Sequence, residues 1–354
     1  MSDAEAWGGP VRVFVRVPHA WCHAGPAAID EVAAAAEELG FDGVSVQDHL
    51  LSDPAVTPCG SRHGQDDRTV FEAMGVLHYL AGRTHRLRLL SGVFVVPYRN
   101  TILLAKEGAT LDVLSGGRFI FGVGVGAVLG KEADGAQRLS AHARIAQREF
   151  AAMGVRGDRG ALIDEMLDAI VALWEQDAPS FHGRHVAFGS LDLYPKPVQQ
   201  PHPPIWIGGR SDAALRRVAR IGDGWFPSQA SPDLIAAGRA RILELAAEGG
   251  RPAPLDQGVN LFAAIADTTD IARGVVADAL GRRFRDTDAL WEATLAGTPG
   301  AVVEQMATYA SAGVNAFDLK LLPLAVPETL RQLERIATDV LPAVRARSAG
   351  TKLA

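Results

Sequence analysis

The residues Pro203-Pro204-Ile205-Trp206-Ile207-Gly208-Gly209-Arg210-Ser211-Asp212 read as a strand ending in two glycines before a serine opens a helix. Glycines let a backbone approach an anion closely. The free N–H groups at a helix start, together with the helix dipole, stabilise its charge. Gly208, Gly209, Arg210 and Ser211 are therefore candidate phosphate-binding residues, although a plain turn capped by Ser211 would be written the same way. A second glycine cluster is Gly122-Val123-Gly124-Val125-Gly126. It is not a G-x-G-x-x-G dinucleotide fingerprint, because the third glycine comes one residue early and no helical pattern follows at once. Either the segment, with Gly124 at its centre, lies flat against a planar ring, or it is a simple loop.

Two segments carry titratable groups. Asp48-His49 falls at the end of a predicted strand. An imidazole there can give or take a proton near neutral pH; the plainer alternative is a polar group on a strand end. His19-Ala20-Trp21-Cys22-His23 places three possible metal ligands within a short stretch. Zinc needs a further partner in tetrahedral reach, and the remaining histidines are scattered. The segment is read as a substrate-facing aromatic loop, with no metal.

These residues must be held by a scaffold, and its pattern is short β-branched runs alternating with alanine-rich helical stretches, the mark of βα units. Strands are expected at Val11–Val17, Gly43–Gln47, Leu87–Val96, Arg118–Val123, Ile205–Ile207, Gly224–Phe226, Val259–Ala266 and Phe317–Leu322. Helices are expected at Pro26–Leu39, from about Thr69, Asn100–Leu114, Ala161–Gln176, Ser211–Gly222, Pro232–Ala247, Ala301–Ser311 and from Pro327. The stretch before Ala161 reads as loop or irregular helix, Gly183–Tyr194 as a hairpin, and Arg273–Gly297 as a polar, arginine-rich insertion. Eight strand-then-helix units predict an α/β fold, a (β/α)8 TIM barrel with insertions after strands 2, 4 and 7, and residues 1–354 as one domain. In such a barrel the βα loops build the active site at the C-terminal rim.

Composition narrows the function classes. The 354 residues are 48% hydrophobic and 21% charged, which excludes a disordered or fibrous chain. A net charge of -6 argues against nucleic acid and anionic membranes, which select basic surfaces. Two cysteines, Cys22 and Cys59, leave no room for a disulfide framework. The first ten residues lack a secretory or transit pattern, and no apolar run approaches the ~18 residues of a membrane span. A cytoplasmic protein is expected.

Several segments, in this order and spacing, resemble the luciferase-like superfamily of flavin and coenzyme F420 enzymes. They are Gly40-Phe41-Asp42-Gly43-Val44 leading to Asp48-His49, then Thr110-Leu111-Asp112-Val113-Leu114-Ser115-Gly116-Gly117-Arg118, then Gly122 to Gly126. Pro195-Lys196-Pro197-Val198-Gln199, Pro203 to Ser211, Gly222-Asp223-Gly224-Trp225, Gly297-Thr298-Pro299 and Ala312-Gly313-Val314 complete the set. The resemblance implies a ring-shaped cofactor at the barrel's C-terminal mouth. His49 would handle a proton near the reactive carbon, and Asp48 would sit against the ring or orient its neighbour. Ser91-Gly92-Val93 matches the place of a non-prolyl cis peptide that bulges against the ring. Gly208, Gly209 and the helix start match a phosphate-side contact.

The resemblance to members that use coenzyme F420 (8-hydroxy-5-deazaflavin) rests on the Asp-His pair and implies hydride transfer to or from a small organic substrate. The alternative is an FMN-dependent monooxygenase that takes FMNH2 from a partner flavin reductase; a non-catalytic flavin-binding barrel is the rival of another class. Sugar-phosphate dehydrogenases of this family carry a glutamate just after the strand-four glycines and a tryptophan after the Asp-His pair. Ala127, and Leu50, Leu51 and Ser52, stand there instead, which argues against that activity. Relatives usually pair through barrel helices, so a homodimer is expected, with a flavin or F420 reductase as a further partner. A metal-dependent hydrolase would show carboxylates or histidines at several strand ends, where strands four to six here end in glycine, glycine and proline-serine.

Overall fold

The computed structural model describes residues 10–21, 23–52, 68–126, 141–254, 256–280, 290–291, 294–322 and 325–350. Eight strands close into a ring: β1 (Arg12–Arg16), β2 (Gly43–Val46), β3 (Arg88–Ser91), β5 (Phe119–Gly124), β8 (Ile205–Gly208), β9 (Gly224–Phe226), β10 (Asp256–Ile265) and β12 (Ala316–Leu321). Each pairs in parallel with the next, and β12 returns to β1 with Val13 opposite Phe317. The expected barrel is the observed one.

The interior is filled by aromatic side chains set against glycines. Phe14, Leu90, Ile120, Trp206 and Phe226 form one buried layer, with Phe14 and Phe226 at 5.9 and 5.7 Å from the Trp206 ring. Gly43 makes room for it, since a Cβ there would lie 2.5 Å from the Phe14 ring. Outside the ring, Val13, Val15, Val44 and Leu89 pack against the helices in a continuous apolar shell. Helix starts are capped as their sequences suggest. Asn100 accepts the Ile102 and Leu103 N–H groups at the head of α3 (Thr101–Ser115), and Ser211 accepts the Ala214 N–H in α6 (Asp212–Ile221).

Five expectations need correction. The third strand is not continuous over Leu87–Val96: it stops at Ser91, and β4 (Phe94–Val95) resumes after a cis bond between Gly92 and Val93. The Arg273–Gly297 insertion holds regular structure among its described residues. Helix α8 (Thr269–Leu280) turns Ala272, Val276 and Leu280 to the core at helical spacing, and β11 (Thr294–Gly297) adds to the edge of β10. The second helix, α2, begins at Ala73 rather than Thr69, because Glu72 caps it. The hairpin shrinks to β6 (Phe181–His182) and β7 (Ala187–Phe188). The stretch before Ala161 contains a full helix, α4 (Ala141–Ala152). No described helix is long and apolar enough to cross a membrane.

Candidate functional site at the barrel mouth

A polar layer closes the barrel above the aromatic one. Asp318 of β12 is fully buried and accepts from Ser45 Oγ at 2.6 Å, Arg16 Nη2 at 2.7 Å and Asn260 Nδ2 at 2.6 Å. Arg16 also donates to Gln47 Oε1 at 2.9 Å and to the Gly92 carbonyl at 3.4 Å. A buried carboxylate is tolerable only when its charge is paired and its lone pairs are filled, and here β1, β2 and β10 supply the partners. Gly92 was singled out in the sequence, but Arg16, Ser45, Asn260 and Asp318 were not, being isolated polar letters in apolar runs.

Above this floor, the ends of β2, β3, β5 and β8 bring together several sequence-predicted residues. The Val93 side chain lies between two glycine strands: a Cβ on Gly124 would come within 3.0 Å of it, and one on Gly208 within 3.2 Å. Ser91 and Asp48 turn into the wall instead. Ser91 Oγ donates to the Gly122 carbonyl and accepts the Gly122 N–H, both at 2.8 Å. The Asp48 carboxylate accepts the Val95 N–H at 2.8 Å and pairs through both oxygens with Arg99. It therefore ties the end of β2 to the segment after the cis bond, and its side chain has no exposed surface.

His49 stands at the rim with 18% of its side chain exposed. Its ring centroid is 5.7 Å from that of Trp21. Its Nδ1 lies 3.4 Å from Oε1 of Glu149, a buried residue of α4. The same oxygen accepts the Leu50 and Leu51 N–H groups at 2.7 and 3.0 Å, and Oε2 accepts the Tyr98 hydroxyl at 3.0 Å. Burial alone would raise the Glu149 pKa, but His49 and the two amides outweigh it and hold the carboxyl below the usual range. Burial and the neighbouring Glu149 charge push the Tyr98 phenol up, so it stays a donor. Glu149 was missed in the sequence, although Ile145, Ala146 and Glu149 share the buried helix face and an acid there is a signal.

The start of α6 opens to solvent at Gly209, Arg210 and Ser211. Gly209 takes φ +101°, a left-handed conformation that a side chain would strain. The Arg210 guanidinium donates to the Gln229 carbonyl at 3.2 Å. Asp212 in the first turn is paired with Arg216 at 2.7 Å, which offsets its charge beside the remaining N–H groups.

The sequence profile of luciferase-like monooxygenases matches residues 13–286. The chain belongs to this family. It is 30% identical over 256 residues to an FMNH2-dependent dimethylsulfone monooxygenase of Pseudomonas putida, a match covering 71% of this chain but 62% of that protein's own length. It is 29% identical over 203 residues to an F420-dependent glucose-6-phosphate dehydrogenase of Amycolatopsis mediterranei, covering 57% and 53% of the two chains. In fold it is similar to an F420-dependent secondary alcohol dehydrogenase solved with an F420–acetone adduct, at TM-score 0.76 and 19% identity over 95% of this chain and 99% of that one. The relatives of this luciferase-like chain include both FMNH2-dependent and F420-dependent oxidoreductases. The mouth fits such a group. Gly124 and Gly208 leave room for the Val93 side chain, which gives the wall an apolar face there, and the exposed head of α6 presents N–H groups suited to a phosphate.

Among the described residues, no three His, Cys, Asp or Glu side chains gather to hold a metal. His19, weighed as a ligand in the sequence, is buried with its ring nitrogens 3.0 and 2.9 Å from the Val17 and Gln47 carbonyls. Cys22 lies outside the described residues.

Proposed function

We propose that this luciferase-like enzyme carries out hydride transfer between coenzyme F420 and a small organic substrate, with His49 moving the accompanying proton. The observation that carries the reading is the His49–Glu149 pair at the mouth of the barrel. When bound, the deazaflavin supplies or accepts the hydride. Reduction of a carbonyl carbon also requires a proton at its oxygen, and oxidation of an alcohol requires its removal. A Glu149 carboxylate 3.4 Å from Nδ1 favours the tautomer that carries its proton on Nδ1, with Nε2 the nitrogen that would serve the substrate oxygen. Gly208, Gly209, Arg210 and Ser211 would hold the phosphate side, and Val93 with Gly124 would form the wall against the ring. Asp48 acts at one remove, fixing the strand end that bears His49.

The reading is tested by following F420H2 oxidation against a panel of aldehydes, ketones and imines, with wild type and His49→Ala side by side. A substrate turned over by wild type and not by the variant supports it; no oxidation with any member of the panel counts against it. The 30% identity to an FMNH2-dependent monooxygenase favours a second reading, in which reduced FMN comes from a partner reductase and oxygen is the co-substrate.

A further inference from the structure

The barrel has a second charged layer at the end away from the mouth. Arg12 of β1 and Arg88 of β3 stand two residues before Phe14 and Leu90, on the same inward faces, and Gly43 pairs with both Phe14 and Arg88. The Arg12 guanidinium lies 5.4 Å from the centre of the Trp206 ring and pairs with Asp256, which also accepts the Trp206 indole N–H at 3.0 Å. Asp42 is engaged as well, taking the Val13 N–H at 2.8 Å and Arg345 at 2.9 Å. Arg88 is left over. It is half-buried, and among the described residues its guanidinium has no hydrogen bond and no carboxylate within ion-pair distance. The other described arginines without a partner, Arg156 and Arg184, are exposed, where water serves them. Burial holds the Arg88 pKa below the usual arginine value and the positive Arg12 adds to this, while Asp256 and Asp42 act the other way. A half-buried cation without an acceptor has lost hydration with no bond to offset the loss. Arg12, Arg88 and Arg345 share Asp256 and Asp42, so one positive charge in this group is unmatched.

We propose that this end of the barrel binds a small free oxyanion of the phosphate or sulfate class, held by Arg88 with Arg12 beside it. Such an ion has acceptor oxygens only and supplies the missing negative charge. The planar fork of a guanidinium donates two parallel N–H bonds to two of its oxygens. The end opposite the mouth of such a barrel serves stability and not chemistry, so the anion acts as a stabilising ligand of the fold. The inference stands apart from the reading of the mouth and is tested without cofactor or turnover.

The probe is inorganic phosphate, titrated against sodium chloride at constant ionic strength into the full-length protein. The Arg88 Nε–H signal in ¹H–¹⁵N spectra, assigned by its loss in Arg88→Lys, should shift and saturate with phosphate and not with chloride. Arg210→Met, at the head of α6, should leave that titration unchanged. In the Arg210→Met background phosphate should raise the melting temperature saturably. Adding Arg88→Met should leave only the linear rise that excluded salts produce. In chloride alone Arg88→Met should melt no lower than wild type, because it removes a cation without a partner. No saturable shift of the Arg88 signal, or a shift lost in Arg210→Met, overturns the proposal. So does a saturable rise that survives Arg88→Met, or a lower melting temperature of that variant in chloride. Should Arg88→Met not fold, the Arg88 signal in wild type and in Arg210→Met decides alone.

Discussion

Oε1 of Glu149 lies 3.4 Å from Nδ1 of His49 and also takes the backbone N–H groups of Leu50 and Leu51, so one carboxylate of α4 fixes both the catalytic candidate and the loop that follows it. Glu149→Gln keeps the shape but removes the carboxylate charge beside Nδ1 of His49. Turnover is expected to fall at least ~10-fold, with the acid limb of the pH–rate profile moved. An unchanged profile would reduce Glu149 to a structural clamp.

The ionisation of Glu149 also has a pH consequence. Its folded-state pKa lies below the ordinary 4.5, so its stabilisation of the 49–51 segment is present above that range and is lost as pH falls through the depressed value. Amide exchange at Leu50 and Leu51 should accelerate at acid pH before global unfolding, and should be fast at every pH in Glu149→Ala, which removes the acceptor.

His49→Ala should cut turnover by at least ~100-fold while leaving the unfolding midpoint nearly unchanged, since general acid–base help is typically worth ~100- to 10,000-fold. His182→Ala, exposed on β6, is the comparison. Retention of more than about half of wild-type turnover would return His49 to a polar strand end.

His19 gives a stability test independent of chemistry. Burial holds its imidazole down at about 4, from an ordinary 6.5, outweighing the two carbonyls, and the positive Arg16 and Lys320 lower it further in smaller measure. A base with a lowered folded pKa contributes stability above pH 6.5 and loses it as pH falls toward 4, by about 3 kcal/mol. Urea midpoints at pH 7 and pH 4.5 should differ less in His19→Gln than in wild type. Equal differences would place the acid sensitivity elsewhere.

Gly122→Ala should destabilise the barrel by at least ~3 kcal/mol. Its Cβ would fall 1.9 Å from the Ser91 carbonyl oxygen, where two strands are joined through the Ser91 hydroxyl. Thermal melting checks this, and a melting temperature equal to wild type would contradict the packing described for β3 and β5.

Much of this was legible in the sequence, for local reasons. His49, Val93, Gly124 and Gly208 lie at strand ends, and a strand end can be read from the short apolar run before it. The floor of the mouth could not be read so. Arg16 and Asp318 are 302 residues apart, and only closure of β12 onto β1 makes them neighbours. Glu149 was hidden because an excursion after a strand does not say that its helix folds back over the rim. The four residues Thr294–Gly297 are too few to show alternation, and only pairing with β10 makes them a strand.

The cofactor is the most direct question that can be put to this protein. Purified apo-protein titrated with F420 and, separately, with FMN, each followed by cofactor fluorescence, should give saturable binding to F420 at least ~10-fold tighter than to FMN. Tighter binding of FMN, or no saturable binding of F420, would contradict the account.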